Sequence, residues 1–374
     1  MARDPLHVVM FPWLAFGHMN PFFKLAIDLV KAGIRVSFIS APKNIQRLPS
    51  IPSELELLLQ FVEFQLPFVD SLPIGAEATV DITMDENQFL KKSYDLLETR
   101  FKKFITCQPL DWIIQDFAAY WAAEIAEQLR IPQIMFSVFS TAVIAFFGPP
   151  VSVGDHRGAL DNTRKSYNAT QVDHISITVA SLGAKVLQAC TAMVVRSCEE
   201  YEGNYLNVAK KIYLKPVIPN GLPPPLQLKK RDNHKIESSA EVFKWLDHRK
   251  DKSVVYVGFG SEVKLDREQV YEIAHAQTNF VGIHFLNGTF GLGTTIGHPS
   301  TPISWRLPRF IVPLWMEVYY RDAPTCSHST ILVVLPLVID QGFNARLLVE
   351  KGLAVEVEKG DDGTFNGKTL QGVF

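Results

Sequence analysis

Residues 6–40 read LHVVMFPWLAFGHMNPFFKLAIDLVKAGIRVSFIS, and the order of signals in this stretch decides the fold. Leu6–Phe11 is a short unbroken apolar run, the pattern of a strand covered on both faces. Pro12, Gly17 and the Asn20-Pro21 pair predict a loop. Asn20 is then the helix N-cap and Pro21 the first helical residue, where a missing N–H leaves no bond unmade. Leu25, Ala26, Leu29 and Val30 follow at helical spacing, Gly33 ends the helix, and Ile34–Ser40 returns as a second strand. Strand, helix and strand in that order make a parallel β-α-β unit.

The unit recurs. Trp112–Gln115 and Ile131–Ser137 read as strands around a helix at Ala119–Arg130. Ser253–Gly260 is a further strand, with Asp266-x-x-Gln269 opening a helix in the manner of a capping box. Ile331–Pro336, Phe343–Lys351 and Leu353–Glu358 give strand, helix and strand again. Strands alternating with helices predict an α/β protein with doubly wound parallel sheets. Between the repeats lies PVIPNGLPPPLQLKKRDNHK, residues 216–235, whose five prolines and charge cluster read as a linker. The expected organisation is residues 1–215 as a first Rossmann-like domain, 216–240 as linker and 241–374 as a second, incomplete domain.

Composition narrows the partners. The 374 residues carry 37 Lys+Arg against 39 Asp+Glu, so no basic excess exists to bind a phosphate backbone, and nucleic acid is excluded as a partner. The longest uncharged stretch, Ile131–Gly154, is interrupted by Pro132, Gln133 and the Pro149-Pro150 pair, so no membrane insertion is expected. Cys107, Cys190, Cys198 and Cys326 form no C-x-x-C pair, which predicts free thiols and a cytoplasmic protein. Gly291-x-Gly293 with Gly297 has the wrong spacing for a dinucleotide loop, and no metal-ligand motif occurs.

In an open parallel sheet, ligands bind beyond the carboxyl ends of the strands. His18 follows the first strand and Asp116 ends the strand Trp112–Gln115. If the two strands are neighbours, a carboxylate meets an imidazole in one crevice and fixes its tautomer for proton abstraction from a hydroxyl. The other reading has each residue capping its own following helix. Phe11, Trp13, Phe16 and Phe147 flank the His18 crevice along the chain and either line an apolar pocket or belong to the core.

At this point the residues resemble a known family. FPWLAFGHMNPFFKLA (11–26), DWIIQDFAAYWAAEIA (111–126), IMFSVFSTAVIAFFGPP (134–150), VVRSCEEYEGNYL (194–206) and SVVYVGFGSEVKLDREQVYEIA (253–274) all look like plant family 1 UDP-glycosyltransferases. So does LVVLPLVIDQGFNARLLVEKGLAVEVE (332–358), and the phrasing is similar to the glycoside-extending, rhamnosyltransferase-like branch. The resemblance implies a GT-B fold of two Rossmann-like domains facing each other across a cleft. It implies an inverting hexosyl transfer, of glucose or rhamnose, from a UDP-sugar to a hydroxyl of a small apolar plant metabolite or its glycoside. The UDP-sugar is a co-substrate, and neither cofactor nor metal is implied. His18 matches the family's catalytic base and Asp116 its partner; Ser261, Asp340 and Gln341 match donor-binding positions. The donor signature departs from the family. Ile311-Val312-Pro313-Leu314 stands where Trp-x-Pro-Gln belongs, and the His-x-Gly-Trp-x-Ser run is absent from 278–330. That region shows no strand–helix rhythm, and the chain stops at Phe374, before the family's final helix. The alternative is therefore a truncated, catalytically dead remnant that only binds apolar small molecules.

Overall fold

Every residue of the strand His7–Phe11 (β1) is buried, as a strand in the middle of a two-sided parallel sheet requires. The computed structural model describes residues 5–147, 183 and 185–222, then 255–257, 267–269, 272, 283–285, 309–312, 331–336, 340–360 and 364–366. After β1 come helix α1 (Phe16–Lys31), β2 (Arg35–Ser40), α2 (Pro42–Arg47), β3 (Leu59–Glu63), α3 (Asn87–Asp95), α4 (Glu98–Thr106) and β4 (Trp112–Gln115). The order continues with α5 (Tyr120–Gln128), β5 (Gln133–Ser137), α6 (Thr141–Phe147), β6 (Ala192–Val195), α7 (Glu199–Tyr213) and β7 (Val217–Pro219).

These strands form one parallel sheet in the order β3-β2-β1-β4-β5-β6-β7. The chain winds outward from β1 through β2 to β3, then returns to the other side of β1 with β4. The switch point of the sheet thus falls between β1 and β4, where Phe11 stands opposite Gln115. Side chains alternate across the sheet. Val9, Phe11, Ile113 and Met135 pack with Leu90, Tyr94, Phe101 and Trp121 on one face. On the other, Val8, Met10, Phe38 and Phe136 meet the α1 residues Met19, Phe22, Phe23, Ala26, Ile27 and Val30. Those six α1 positions recur at spacings of three and four, so one helix face is apolar over its whole length.

The structure corrects several sequence expectations. Helix α1 begins at Phe16, with Ala15 rather than Asn20 as N-cap. The Ala15 carbonyl accepts the N–H groups of both His18 (2.9 Å) and Met19 (2.8 Å), closing the first turn before Pro21 is reached. Pro21 therefore lies inside the helix, where its ring removes a single N–H from the ladder. The C-terminal end follows the expected pattern: Gly33 adopts φ +83°, the left-handed conformation that lets the Gly33 and Ile34 N–H groups bond back to Val30 and Leu29. Pro216, where the linker is expected to begin, is instead followed directly by β7, which pairs with β6 through Met193 and Val217. Among the described residues β7 is the last strand of the sheet, and an edge strand tolerates the proline at 219 because one side of it makes no ladder bonds.

The second of two compact units contains β8 (Val255–Val257), β9 (Ile283–Phe285), β10 (Arg309–Val312), β11 (Ile331–Val334), helix α8 (Gln341–Glu350) and β12 (Ala354–Glu356). Its strands are parallel, in the order β12-β11-β10-β8-β9. Two of them, β9 and β10, come from the 278–330 stretch expected to lack strand–helix rhythm. Pairing with β8 stabilises them where local pattern does not. The helix expected from Asp266 onward lies largely outside the described residues.

Candidate active site

Because β1 and β4 are neighbours in register, the residues just beyond their carboxyl ends meet. Asp116 is the first residue after β4, and His18 lies in the first turn of α1, reached from β1 by the short Pro12–Ala15 loop. His18 Nδ1 and Asp116 Oδ2 are 2.8 Å apart, with side chains 3% and 1% exposed. A carboxylate only accepts hydrogen bonds, so Nδ1 carries the proton and Nε2 is the basic nitrogen of this tautomer. Backbone groups hold the carboxylate in turn: Trp13 N–H donates to Oδ2 at 3.0 Å and Phe117 N–H to Oδ1 at 2.8 Å. The sequence alternative, in which each residue merely caps its own helix, does not describe this arrangement.

The rings around His18 are Phe117, 5.5 Å away and tilted, and Phe139, 5.6 Å away and edge-on at 80°. They also touch each other at 6.0 Å. Neither was among the aromatics that flank His18 along the chain. Phe11 instead belongs to the core, stacked 4.8 Å from Tyr94 and 5.4 Å from Phe101, because its side chain leaves β1 on the face away from α1. Trp13 reaches the site indirectly, 6.4 Å from the Phe117 ring. Phe16 lies under the Arg47 guanidinium, and the Phe147 side chain is outside the described residues. Phe117 could have been found as the residue after Asp116. Phe139 had no sequence signal beyond its place after β5.

Other polar groups collect at the same edge of the sheet. Tyr94 donates to the Pro12 carbonyl at 3.3 Å; burial, then the charges of Asp116 and Asp95, hold its hydroxyl far above its ordinary pKa, so it stays neutral. Ser137 Oγ, at the end of β5, and Thr141 Oγ1, at the start of α6, are buried without a hydrogen-bond partner among the described residues. Burial raises the thiols of Cys190 and Cys198, which disfavours a thiolate nucleophile at either.

In the second unit, Asp340 and Gln341 are adjacent at the start of α8, and both are buried. Asn344 Nδ2 donates to Asp340 Oδ2 at 2.7 Å, turning the carboxylate along the helix start. Ser261 lies outside the described residues. Among the described residues no group of three or more His, Cys, Asp or Glu side chains is placed to hold a metal ion. No helix there is long and apolar enough to cross a membrane.

No family model matches the chain. It is 36% identical to UDP-glycosyltransferase 91A1 of Arabidopsis thaliana, over 98% of this chain and 87% of that protein. To soyasaponin III rhamnosyltransferase of Glycine max it is 32% identical over the same shares, 98% and 87%. Among solved structures, Arabidopsis thaliana UGT89C1 complexed with UDP-L-rhamnose matches with a TM-score of 0.74 at 20% identity, over 100% of this chain and 89% of that one. Glycyrrhiza uralensis UGT73P12 complexed with glycyrrhetinic acid 3-O-monoglucuronide matches at 0.73 and 16% identity, over 99% and 86%. The structural likenesses establish a GT-B fold, an α/β architecture with a parallel seven-stranded first sheet. With relatives above 30% identity spanning nearly its whole length, the chain belongs to the plant UDP-glycosyltransferases.

Proposed function

We propose that this glycosyltransferase moves a hexosyl group, glucose or rhamnose, from a UDP-sugar to a hydroxyl of a plant metabolite or its glycoside, with inversion. His18 acts as general base. The buried 2.8 Å contact between His18 Nδ1 and Asp116 Oδ2 is the observation that carries this reading. Nε2 takes the proton as the acceptor oxygen attacks the anomeric carbon; the bond from that carbon to the diphosphate oxygen breaks, and UDP leaves with the electron pair. Asp116 stabilises the imidazolium that forms. The UDP-sugar is a co-substrate, with Ser261, Asp340 and Gln341 proposed to hold it by their match to the family pattern. Phe117 and Phe139 offer an apolar wall to a flat acceptor.

UDP release in the presence of acceptor tests the base. His18→Ala is expected to lower kcat about 10²–10⁴-fold, and an undiminished rate would refute the assignment. The competing reading, a remnant that binds apolar molecules without turnover, draws on Ile311-Val312-Pro313-Leu314 in place of the family's Trp-x-Pro-Gln. Calorimetric titration with UDP separates the two. Saturable binding supports the transferase, and its absence supports the remnant.

A further inference from the structure

Beyond the dyad, the first unit contains a second buried carboxylate. Glu202 is 1% exposed and lies in the first turn of α7, where its own backbone leaves helical geometry at φ −130° and ψ 27°. Its oxygens reach across to another element. Thr141 N–H donates to Oε2 at 3.1 Å, Ala142 N–H to Oε1 at 2.9 Å, and the Ser197 hydroxyl to Oε2 at 2.6 Å. The next N–H, that of Val143, is taken by Ser140 Oγ at 3.4 Å. Helix α6 therefore has the opening N–H groups that a helix cannot bond internally satisfied from outside, two of them by one side chain sixty positions away. A negative group at a helix start is also favoured by the aligned peptide dipoles.

What this tie fixes is the short segment from Val138 to Ser140, between the last residue of β5 and the first of α6. Phe139 is its middle residue, and the Phe139 ring stands edge-on against His18 while also touching Phe117. The sheet holds one end of the segment through the Ser137–Val195 pairing of β5 and β6, and Glu202 holds the other. With the backbone held at both ends, the Cα of Phe139 is fixed beside the imidazole that its ring meets. Asp116 controls where His18 Nδ1 points; the Phe117–Phe139 pair limits how the ring can tilt about that hydrogen bond.

We infer that Glu202 is a positioning residue for the transfer reaction, acting through Thr141, Ala142 and Phe139 to hold the His18 ring in place. The inference rests on the reading of His18 as the base. It is tested with Glu202→Ala, Glu202→Gln and Phe139→Leu, alone and combined with each other and with His18→Ala. The readouts are kcat and KM for UDP release and the downfield proton resonance of His18 Nδ1–H, identified by its loss in His18→Ala. Displacing a reacting group by about 1 Å costs about 100-fold in rate, so Glu202→Ala should lower kcat roughly 10- to 100-fold with both KM values within about threefold. Its downfield resonance should broaden or vanish. Glu202→Gln keeps an amide oxygen for Thr141 and Ser197 but sets its NH₂ against the Ala142 N–H, so it should show a loss of both signals intermediate between wild type and Glu202→Ala. Phe139→Leu keeps an apolar side chain but removes the ring without touching Glu202, and its kcat loss should be shared with that of Glu202→Ala, the double variant being no slower than the slower single.

Losses that multiply in the double variant, or an unchanged Nδ1–H resonance in folded Glu202→Ala, would overturn the inference. So would a further loss when Glu202→Ala is added to His18→Ala. Normal turnover in His18→Ala alone would instead remove the base assignment, and the resonance would still report whether Glu202 orders the ring. Should Glu202→Ala fail to fold, Glu202→Gln and Phe139→Leu carry the same comparison.

Discussion

Replacing Asp116 with asparagine removes a charge while keeping the shape of the group that holds His18. Two donors converge on Oδ2, His18 Nδ1 and Trp13 N–H, but only Phe117 N–H meets Oδ1. The new amide therefore turns its oxygen to the Oδ2 position and its NH₂ to the Oδ1 position, because the opposite orientation sets two donors against it rather than one. His18 keeps its tautomer, and Nε2 remains the basic nitrogen. What is lost is the charge-assisted part of the bond to the imidazolium, about 1–2 kcal/mol as the difference between charged and neutral hydrogen bonds. At about 1.36 kcal/mol per factor of ten, kcat should fall roughly 5- to 30-fold. The Phe117 N–H, now facing another donor, should lower stability by about 1–3 kcal/mol. Steady-state UDP release and a urea melt measure the two effects separately. A rate within twofold of wild type would show that the carboxylate charge does nothing for the reaction. A loss as deep as that of His18→Ala would show that the tautomer flips and that the count of donors on each oxygen is the wrong guide.

Three further outcomes follow from the same geometry. Burial lowers the His7 imidazole below its ordinary 6.5, with the Pro109 carbonyl opposing and Arg35 assisting; Asp111 also opposes. The unfolded chain thus binds the proton first, so this contribution to stability is full above pH 6.5 and is lost as pH falls toward the lower folded value. Melting temperatures between about pH 8 and about pH 5.5 should fall less steeply in His7→Gln than in the wild type, and equal slopes would count against the assignment. Phe11→Ala should cost about 3–5 kcal/mol in a urea melt, since the ring is fully buried among Tyr94, Phe101 and Trp121. Ser137→Ala removes a buried hydroxyl that has no partner among the described residues, so stability should hold or rise. If the hydroxyl serves a substrate, the KM for that substrate should rise roughly 2- to 13-fold, the equivalent of about 0.5–1.5 kcal/mol.

The sequence carried the β-α-β units because their strands are central and their helices two-faced. Val8–Phe11 and Ile113–Gln115 are buried, and strands so placed read as runs dominated by apolar residues, Gln115 apart. The edge of the same sheet was not legible. Leu59–Glu63 is buried at its first residue and half-buried or exposed beyond it, so β3 leaves almost no pattern in the sequence. Ile283–Phe285 and Arg309–Val312 are short strands defined by their neighbours, and a single chain displays no neighbours. At the site, His18 and Asp116 were legible because each sits where a strand ends. Glu202 was not, because its purpose lies in backbone groups of another helix, and any glutamate in an acidic first turn looks like a favourable charge.

The strand order has a consequence for how the protein comes into being. Histidine and aspartate are 98 positions apart in the chain, and they touch because β4 lies beside β1, on the side opposite β2 and β3. Closing a loop of that length carries an entropy cost that grows slowly with length, about 0.6 kcal/mol per doubling, yet nothing local repays it until the central pairing forms. A nascent chain that has made its first three strands therefore holds an imidazole with no carboxylate. The contact between imidazole and carboxylate is thus a property of the assembled sheet rather than of any segment of it.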